Sequence, residues 1–379
     1  MAVRIADCNF SMQLPSFKLE RFFAQYEFSS KYLLCSSDCE SVTVQDLLAL
    51  EPEAHQLFLR QRLGYTESPG APELRQAICR LYKTLQPEQV LVHTGAEEAI
   101  FLFMHAMLQL GDHVIVHSPC YQSLFEVARS RGCEVTRWPA RERNGWALDL
   151  DDLRRALRPN TRVIVINTPH NPTGFLMPLE DFRELNQIAQ AKGIIVFSDE
   201  VYRESEYRAI ERLPAACDIN ENAVSLGVMS KTYGLAGLRL GWIATRNAEV
   251  YEQMARLKDY TTICNSAPSE FLATLALRHR EKIVLRNLDI ILRNLELLDR
   301  FFARFKNRFI WQRPAAGPIA FPRLLGENIE AFCERLVRQT GVLLAPGTLF
   351  EDYDNHFRIG FGRKNLPEAV ARLEDFLHS

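Results

Sequence analysis

Val163-Ile164-Val165-Ile166 runs directly into Asn167-Thr168-Pro169-His170-Asn171-Pro172-Thr173-Gly174. A helix-like stretch, Leu179–Lys192, follows, and then a second apolar run, Ile194–Phe197, which ends in Ser198-Asp199-Glu200-Val201-Tyr202. Short, continuous apolar runs rich in β-branched residues are the signature of strands buried on both faces. A helical segment between two of them implies a crossover and a parallel pairing. This single unit decides the fold class as α/β.

The same alternation extends outward in both directions. Val90–Val92, Val114–Val116, Val224–Val228 and Arg239–Ala244 read as further strands, with helices over Glu97–Gln109 and Ser123–Arg131. Residues 45–265 are therefore expected to form a large domain around a mostly parallel sheet covered on both faces. Beyond it, Val284, Leu288, Ile291, Leu295, Leu298 and Phe302 keep the three-four spacing of one helix face. The opposite face carries Arg278, Arg280, Lys282, Arg286, Arg293 and Arg300, but Glu281, Asp289, Glu296 and Asp299 interrupt it. It reads as a solvated face of an interdomain helix. Strands at Ile319–Phe321, Val342–Leu344 and Phe357–Phe361, with helices at Asn328–Thr340 and Leu366–His378, complete a small α+β domain within 266–379. Residues 1–44 read as an N-terminal arm and part of that small domain.

Composition narrows the function classes. With 379 residues, 47% apolar and 24% charged, the chain can bury a large core without staples. A net charge of −2 gives no general attraction to nucleic acid or anionic membranes. No apolar run reaches the ~18 residues of a membrane span, and Met1–Phe17 lacks the layout of a signal peptide. The expected location is the cytoplasm. Nine scattered cysteines, Cys8 among them, with no CxxC pair fit reduced thiols, and no histidine spacing suggests a metal site.

The chemistry is expected at the carboxyl ends of the strands, where open α/β sheets bind ligands. Thr94-Gly95-Ala96-Glu97-Glu98 opens a helix with small residues, and free amides at a helix N-terminus suit a phosphate. The Asn167–Gly174 octet is a rigid loop with a fixed side-chain amide. Asp199 sits after a strand, as a helix cap or a functional carboxylate. Met229-Ser230-Lys231-Thr232-Tyr233-Gly234 places a lysine in a small-residue loop directly after a strand, where desolvation can turn it into a nucleophile. Arg239 offers a fork of donors to a phosphate. The glycines make no G-x-G-x-x-G, which argues against a dinucleotide.

Together these motifs, from about Tyr65 to Arg363, resemble the pyridoxal-phosphate-dependent class I/II aminotransferases of fold type I, the aspartate aminotransferase family. The resemblance implies a seven-stranded, mostly parallel sheet in the large domain and pyridoxal 5'-phosphate as cofactor. It also implies transfer of an amino group from an amino acid to a 2-oxo acid through a Lys231 Schiff base, in a homodimer with shared active sites. By that likeness Asp199 holds the pyridine nitrogen protonated, and Tyr202 and Asn171 donate to the 3-oxygen of the cofactor. Tyr121 stacks on the ring. Gly95, Ala96, Glu97, Ser230 and Arg239 bind the phosphate, and Tyr65 reaches the phosphate of the neighbouring subunit. Arg358 clamps the substrate α-carboxylate, beside Asn171. No metal, nucleic acid or membrane partner is implied.

Two departures from the family pattern stand out. Val228 occupies the place of a phosphate-site serine. Leu34-Cys35-Ser36-Ser37-Asp38-Cys39-Glu40-Ser41 replaces the glycine that many members hold over the substrate, and it resembles the entry of capreomycidine-synthase-like members, which cyclise an arginine-derived amino acid. In that alternative Asp38 or Glu40 would receive a cationic side chain.

Overall fold

The computed structural model describes residues 14–351, 353 and 355–378; Cys8 and the first part of the arm lie outside them. Seven strands form the central sheet: β1 (Val90–His93), β2 (His113–Ser118), β3 (Glu134–Pro139), β4 (Thr161–Asn167), β5 (Ile195–Asp199), β6 (Ala223–Val228) and β7 (Gly241–Thr245). Their spatial order is β3-β2-β4-β5-β6-β7-β1. Only β7 runs antiparallel to its neighbours. This is the mostly parallel α/β sheet that the apolar runs imply.

Alternate residues of the central strands enter opposite halves of the core. Val163 and Val165 pack with the helix Gly95–Met107, whereas Ile164 and Ile166 pack with Phe182 and Leu185 of the helix Leu179–Ala191. Continuous apolar strands arise because both faces are covered. β3 escapes the sequence reading because it is an edge strand and only its Trp138 is buried. Its polar alternation and terminal Pro139 suit an edge. Arg239–Ala244 starts too early as a strand. Arg239 has φ of 47°, a left-handed conformation that ends a short turn, and β7 begins at Gly241.

The helix Arg280–Arg304 joins two cores. Ile283 and Val284 pack with Leu272 and Leu275, while Ile291, Leu295, Leu298 and Phe302 pack with Phe309, Phe332 and Phe357. In the C-terminal unit Phe357–Gly360 lies between Ile319–Ala320 and Ala345–Pro346. The expected strand Val342–Leu344 is instead two short strands in different sheets, since Val342–Leu343 pairs in parallel with Tyr32–Leu33 of the arm. Asn328 is the cap of the helix Ile329–Thr340: its side chain accepts from the Ala331 amide at 3.0 Å. The arm helix Lys18–Tyr26 buries Leu19 against a cluster that holds both Trp138 and Leu343, so it touches the sheet and the C-terminal unit.

Candidate active site

The loops at the carboxyl ends of β2, β4, β5 and β6 meet the start of the helix Gly95–Met107 and the strand Phe357–Gly360 around a cavity of about 590 Å³. Ala96, Glu97, Tyr121, Asn171, Asp199, Tyr202, Ser230, Lys231, Arg239 and Arg358 all line it. Ten residues spread over more than 260 positions of sequence are thus brought together.

One end is built for an anion. Gly95 has φ of +80°, and a Cβ there would lie 2.7 Å from Nη2 of Arg239. Gly241 is as tight, since a Cβ on it would meet the Gly95 carbonyl carbon at 2.8 Å. The guanidinium is therefore seated against the first turn of the helix, where free amides and the helix dipole also favour negative charge. Ser230 adds a hydroxyl. Val228 adds none, being buried in the hydrophobic core. Glu97, on the same turn, accepts from Ser123 Oγ at 3.0 Å, and burial pushes its carboxyl up to about 7.

Asp199 lies on the floor of the cavity. Burial raises its pKa to about 7, against the lowering effect of the Val201 amide (3.2 Å) and of Lys231. A buried carboxylate with no ion-pair partner is unfavourable, and a cationic ring nitrogen placed beside it would restore the balance. Asn167 organises this floor: its Nδ2 donates to the Asp199 carbonyl at 2.9 Å, and its Oδ1 accepts from the Asn171 amide at 2.6 Å. His170, stacked on His117 at 3.7 Å, bonds Thr173 Oγ1 and the Pro119 carbonyl at 2.7 Å each. It ties the Asn171 loop to the loop that carries Tyr121. The Tyr202 hydroxyl is buried without a well-formed hydrogen bond, and burial raises its pKa.

Lys231 faces the cavity, and its Nζ donates to Ser37 Oγ at 2.9 Å. Burial lowers its pKa, with Arg358 acting in the same direction and Asp38, Glu20 and Asp199 opposing. Arg358 is buried on the other side. Its Nε donates to the Cys35 carbonyl at 3.0 Å and its Nη1 to Asn171 Oδ1 at 3.2 Å, while Nη2 has no partner among the described residues. An unpartnered guanidinium nitrogen in a cavity wall calls for an anionic ligand.

The arm helix forms the rim. Tyr121 donates to Glu20 Oε1 at 2.6 Å and packs on Phe17 at 4.9 Å between ring centroids. Asp38 is engaged by Arg363 through contacts of 2.9 to 3.2 Å, and Glu40 accepts from the Lys364 amide at 3.0 Å. The carboxylates considered as receivers for a cationic side chain are therefore committed to the chain's own groups. Tyr65 is not brought to this cavity at all; it is 92% exposed. Ser37, Glu20 and Arg363 also line the cavity, and no motif assigned any of them a role there. Their partners lie between 101 and 325 positions away, so no local pattern marks them.

A profile of the aminotransferase class I and II family matches residues 29–373. The chain belongs to that family. Among solved structures, a PLP-dependent aminotransferase from Streptococcus suis superposes with a TM-score of 0.91 and 34% identity, over 97% of this chain and 98% of that one. Capreomycidine synthase from Streptomyces vinaceus is 30% identical over 96% of this chain and 94% of its own. An aspartate aminotransferase from Pyrococcus horikoshii is 30% identical over 83% of both chains. The protein is a pyridoxal-phosphate-dependent aminotransferase, and the cavity fits that cofactor: an anion cradle at Gly95 and Arg239, a buried carboxylate in need of a cation, and a lysine amine in the wall. Among the described residues no helix is long and apolar enough to cross a membrane, and no cluster of three or more His, Cys, Asp or Glu could hold a metal ion.

Proposed function

We propose that this aminotransferase carries its reaction on Lys231, Asp199 and Arg358, with an amino acid as donor and a 2-oxo acid as acceptor. The observation that supports this best is the free Nη2 of buried Arg358 in a wall shared with the Lys231 amine. When bound, pyridoxal phosphate supplies an electron sink for the carbanion formed at the substrate Cα.

The chain's own residues do the rest. Arg239 and the helix start at Gly95–Glu97 would hold the phosphate, and Tyr121 would hold the ring. Asp199 would keep a proton on the ring nitrogen. Asn171 spends Oδ1 on Arg358, which leaves its Nδ2 to donate to the 3-oxygen beside the Tyr202 hydroxyl. Arg358 binds the substrate carboxylate through a fork of N–H groups and so fixes the direction of the Cα–H bond. The Lys231 amine, kept deprotonable by burial, would take the proton from the substrate Cα as general base.

We infer a homodimer in which Tyr65 serves the partner's site. Its exposure supports this, together with exposed Leu57, Leu59 and Leu63 on the same stretch. Mixing Tyr65→Ala with Lys231→Ala protein tests both assignments. Random exchange of subunits leaves one intact site in each mixed dimer, so about a quarter of native activity returns. Two inactive proteins that stay inactive after exchange would overturn the shared site.

A second reading, a cyclase acting on an arginine-like amino acid, draws support from the full-length similarity to capreomycidine synthase. It would use the same cofactor residues.

A further inference from the structure

The segment Ser36–Ser41, singled out in the sequence, crosses the cavity on a bed of glycines. A Cβ on Gly360 would collide with the Ser36 carbonyl oxygen, and one on Gly362 with that of Asp38. A Cβ on Gly234 would lie 2.7 Å from the Glu40 carbonyl oxygen. Close backbone approach of this kind requires glycine at each of those positions. The segment is also fixed at both ends of Ser37. Cys35 accepts from Arg358 Nε through its carbonyl at 3.0 Å, and Asp38 is held by Arg363. Backbone bonds from Gly360 to the Leu34 carbonyl (2.7 Å) and from Glu40 to the Gly362 carbonyl (2.8 Å) complete the anchoring. Ser37 is thus a hydroxyl on a rigid support, and it meets the reacting amine.

We propose that Ser37 is a positioning residue for the Lys231 amine: its oxygen accepts one N–H and so directs the nitrogen lone pair toward the substrate Cα. An amine carries two N–H donors and one lone pair. An acceptor at 2.9 Å occupies a donor and leaves the lone pair free, whereas a donor at that position would block it. Ser37 also neighbours the buried Tyr202 hydroxyl, where it opposes part of the rise in pKa that burial causes. Because Ser37 lies two residues after Cys35, whose carbonyl binds Arg358, the amine is placed relative to the group that orients the substrate carboxylate. A residue without a side-chain hydroxyl at this position leaves a four-carbon chain to find the same geometry unaided.

The proposal rests on Lys231 being the reacting amine, and its test is independent of that reaction. In the cofactor-free chain, acylation of Lys231 by acetic anhydride is followed against pH by mass spectrometry of its peptide. The titratable and charged groups acting on this amine include Asp38, Glu20, Glu27, Cys39, Asp199 and Arg358, and none of them is substituted in the variants used. Accepting from nitrogen favours the ammonium, so Ser37→Ala is expected to lower the labelling pKa by about half a unit. In the loaded enzyme the same variant is expected to lose about tenfold in kcat with KM within about twofold. Ser37→Thr, which keeps the hydroxyl, should restore both. A labelling pKa unmoved in Ser37→Ala, or a threonine variant as impaired as the alanine one, would overturn the proposal and leave a purely structural loop. Failure of the Lys231 assignment itself would show separately, as Lys231→Ala protein that still holds cofactor after borohydride reduction and denaturation.

Discussion

Arg358 and Asn171 share a hydrogen bond of 3.2 Å, Nη1 to Oδ1, inside a cavity wall where Nη2 of the same guanidinium has no partner among the described residues. The contact fixes the plane of the guanidinium and the orientation of the amide together, so the group proposed to bind substrate and a group proposed to bind cofactor are one unit. Arg358→Lys keeps the charge and loses the fork. The three donors of the ammonium cannot serve Asn171 and the Cys35 carbonyl and still meet a carboxylate bidentately. A loss of about 2–3 kcal/mol in substrate binding is expected, or roughly a hundredfold in KM for the amino acid, with cofactor retained. Steady-state kinetics check this, and a KM within about threefold of the native enzyme would contradict it.

Gly95→Ala strikes the anion cradle. The new Cβ would lie 2.7 Å from Arg239 Nη2, at a φ of +80° that an L-residue adopts only with strain. Arg239 must withdraw from the phosphate position. Cofactor affinity should fall at least about tenfold, as read by absorbance titration of the cofactor-free protein. The cofactor-free fold itself should lose little more than the backbone strain.

Asp199 makes stability depend on pH in a direction opposite to that of an ion-paired carboxylate. Its pKa is raised to about 7 in the fold from an ordinary value of 3.8, so the folded chain binds the extra proton between these limits. Stability from this group is full below pH 4 and is lost as pH rises toward and through 7. Glu97 and Glu270, also pushed up to about 7 by burial, act in the same direction. Buried His93 and His170, whose pKa burial lowers to about 3, act oppositely below about pH 6.5. The test is therefore a difference: in thermal melts of the cofactor-free protein, Asp199→Asn should gain Tm relative to the native sequence as pH rises from about 5 to about 8. Cofactor, by placing a cation beside the carboxylate, should do the same in the native chain. An unchanged slope in Asp199→Asn would contradict the assignment of Asp199 as a buried, unpaired carboxylate.

The sequence shows the fold and the cofactor site for the same physical reason. Val163–Ile166 and Ile194–Phe197 are buried on both faces, so their apolar runs are continuous, and the loops that follow them must carry the chemistry. β3 stays hidden because an edge strand needs only Trp138 inside. The rim stays hidden because its contacts are set by packing, not by spacing. Ser37 meets Lys231, Asp38 meets Arg363, and Glu20 meets Tyr121 across at least 101 positions of chain. Charge complementarity alone assigned Asp38 to a ligand, whereas the fold supplies Arg363 first. Tyr65 could be read only from its motif, since one chain leaves it in solvent.

The central claim is that the bound cofactor accepts an amino group and keeps it until a 2-oxo acid arrives. The enzyme loaded with pyridoxal phosphate should be mixed with single amino acids, arginine and its hydroxylated forms included, with no 2-oxo acid present. Mass spectrometry then identifies both cofactor and product. One equivalent of pyridoxamine phosphate and one of a 2-oxo acid should form per active site, with no further turnover. Unchanged pyridoxal phosphate with many turnovers of substrate would contradict it and establish a cyclase or lyase in its place.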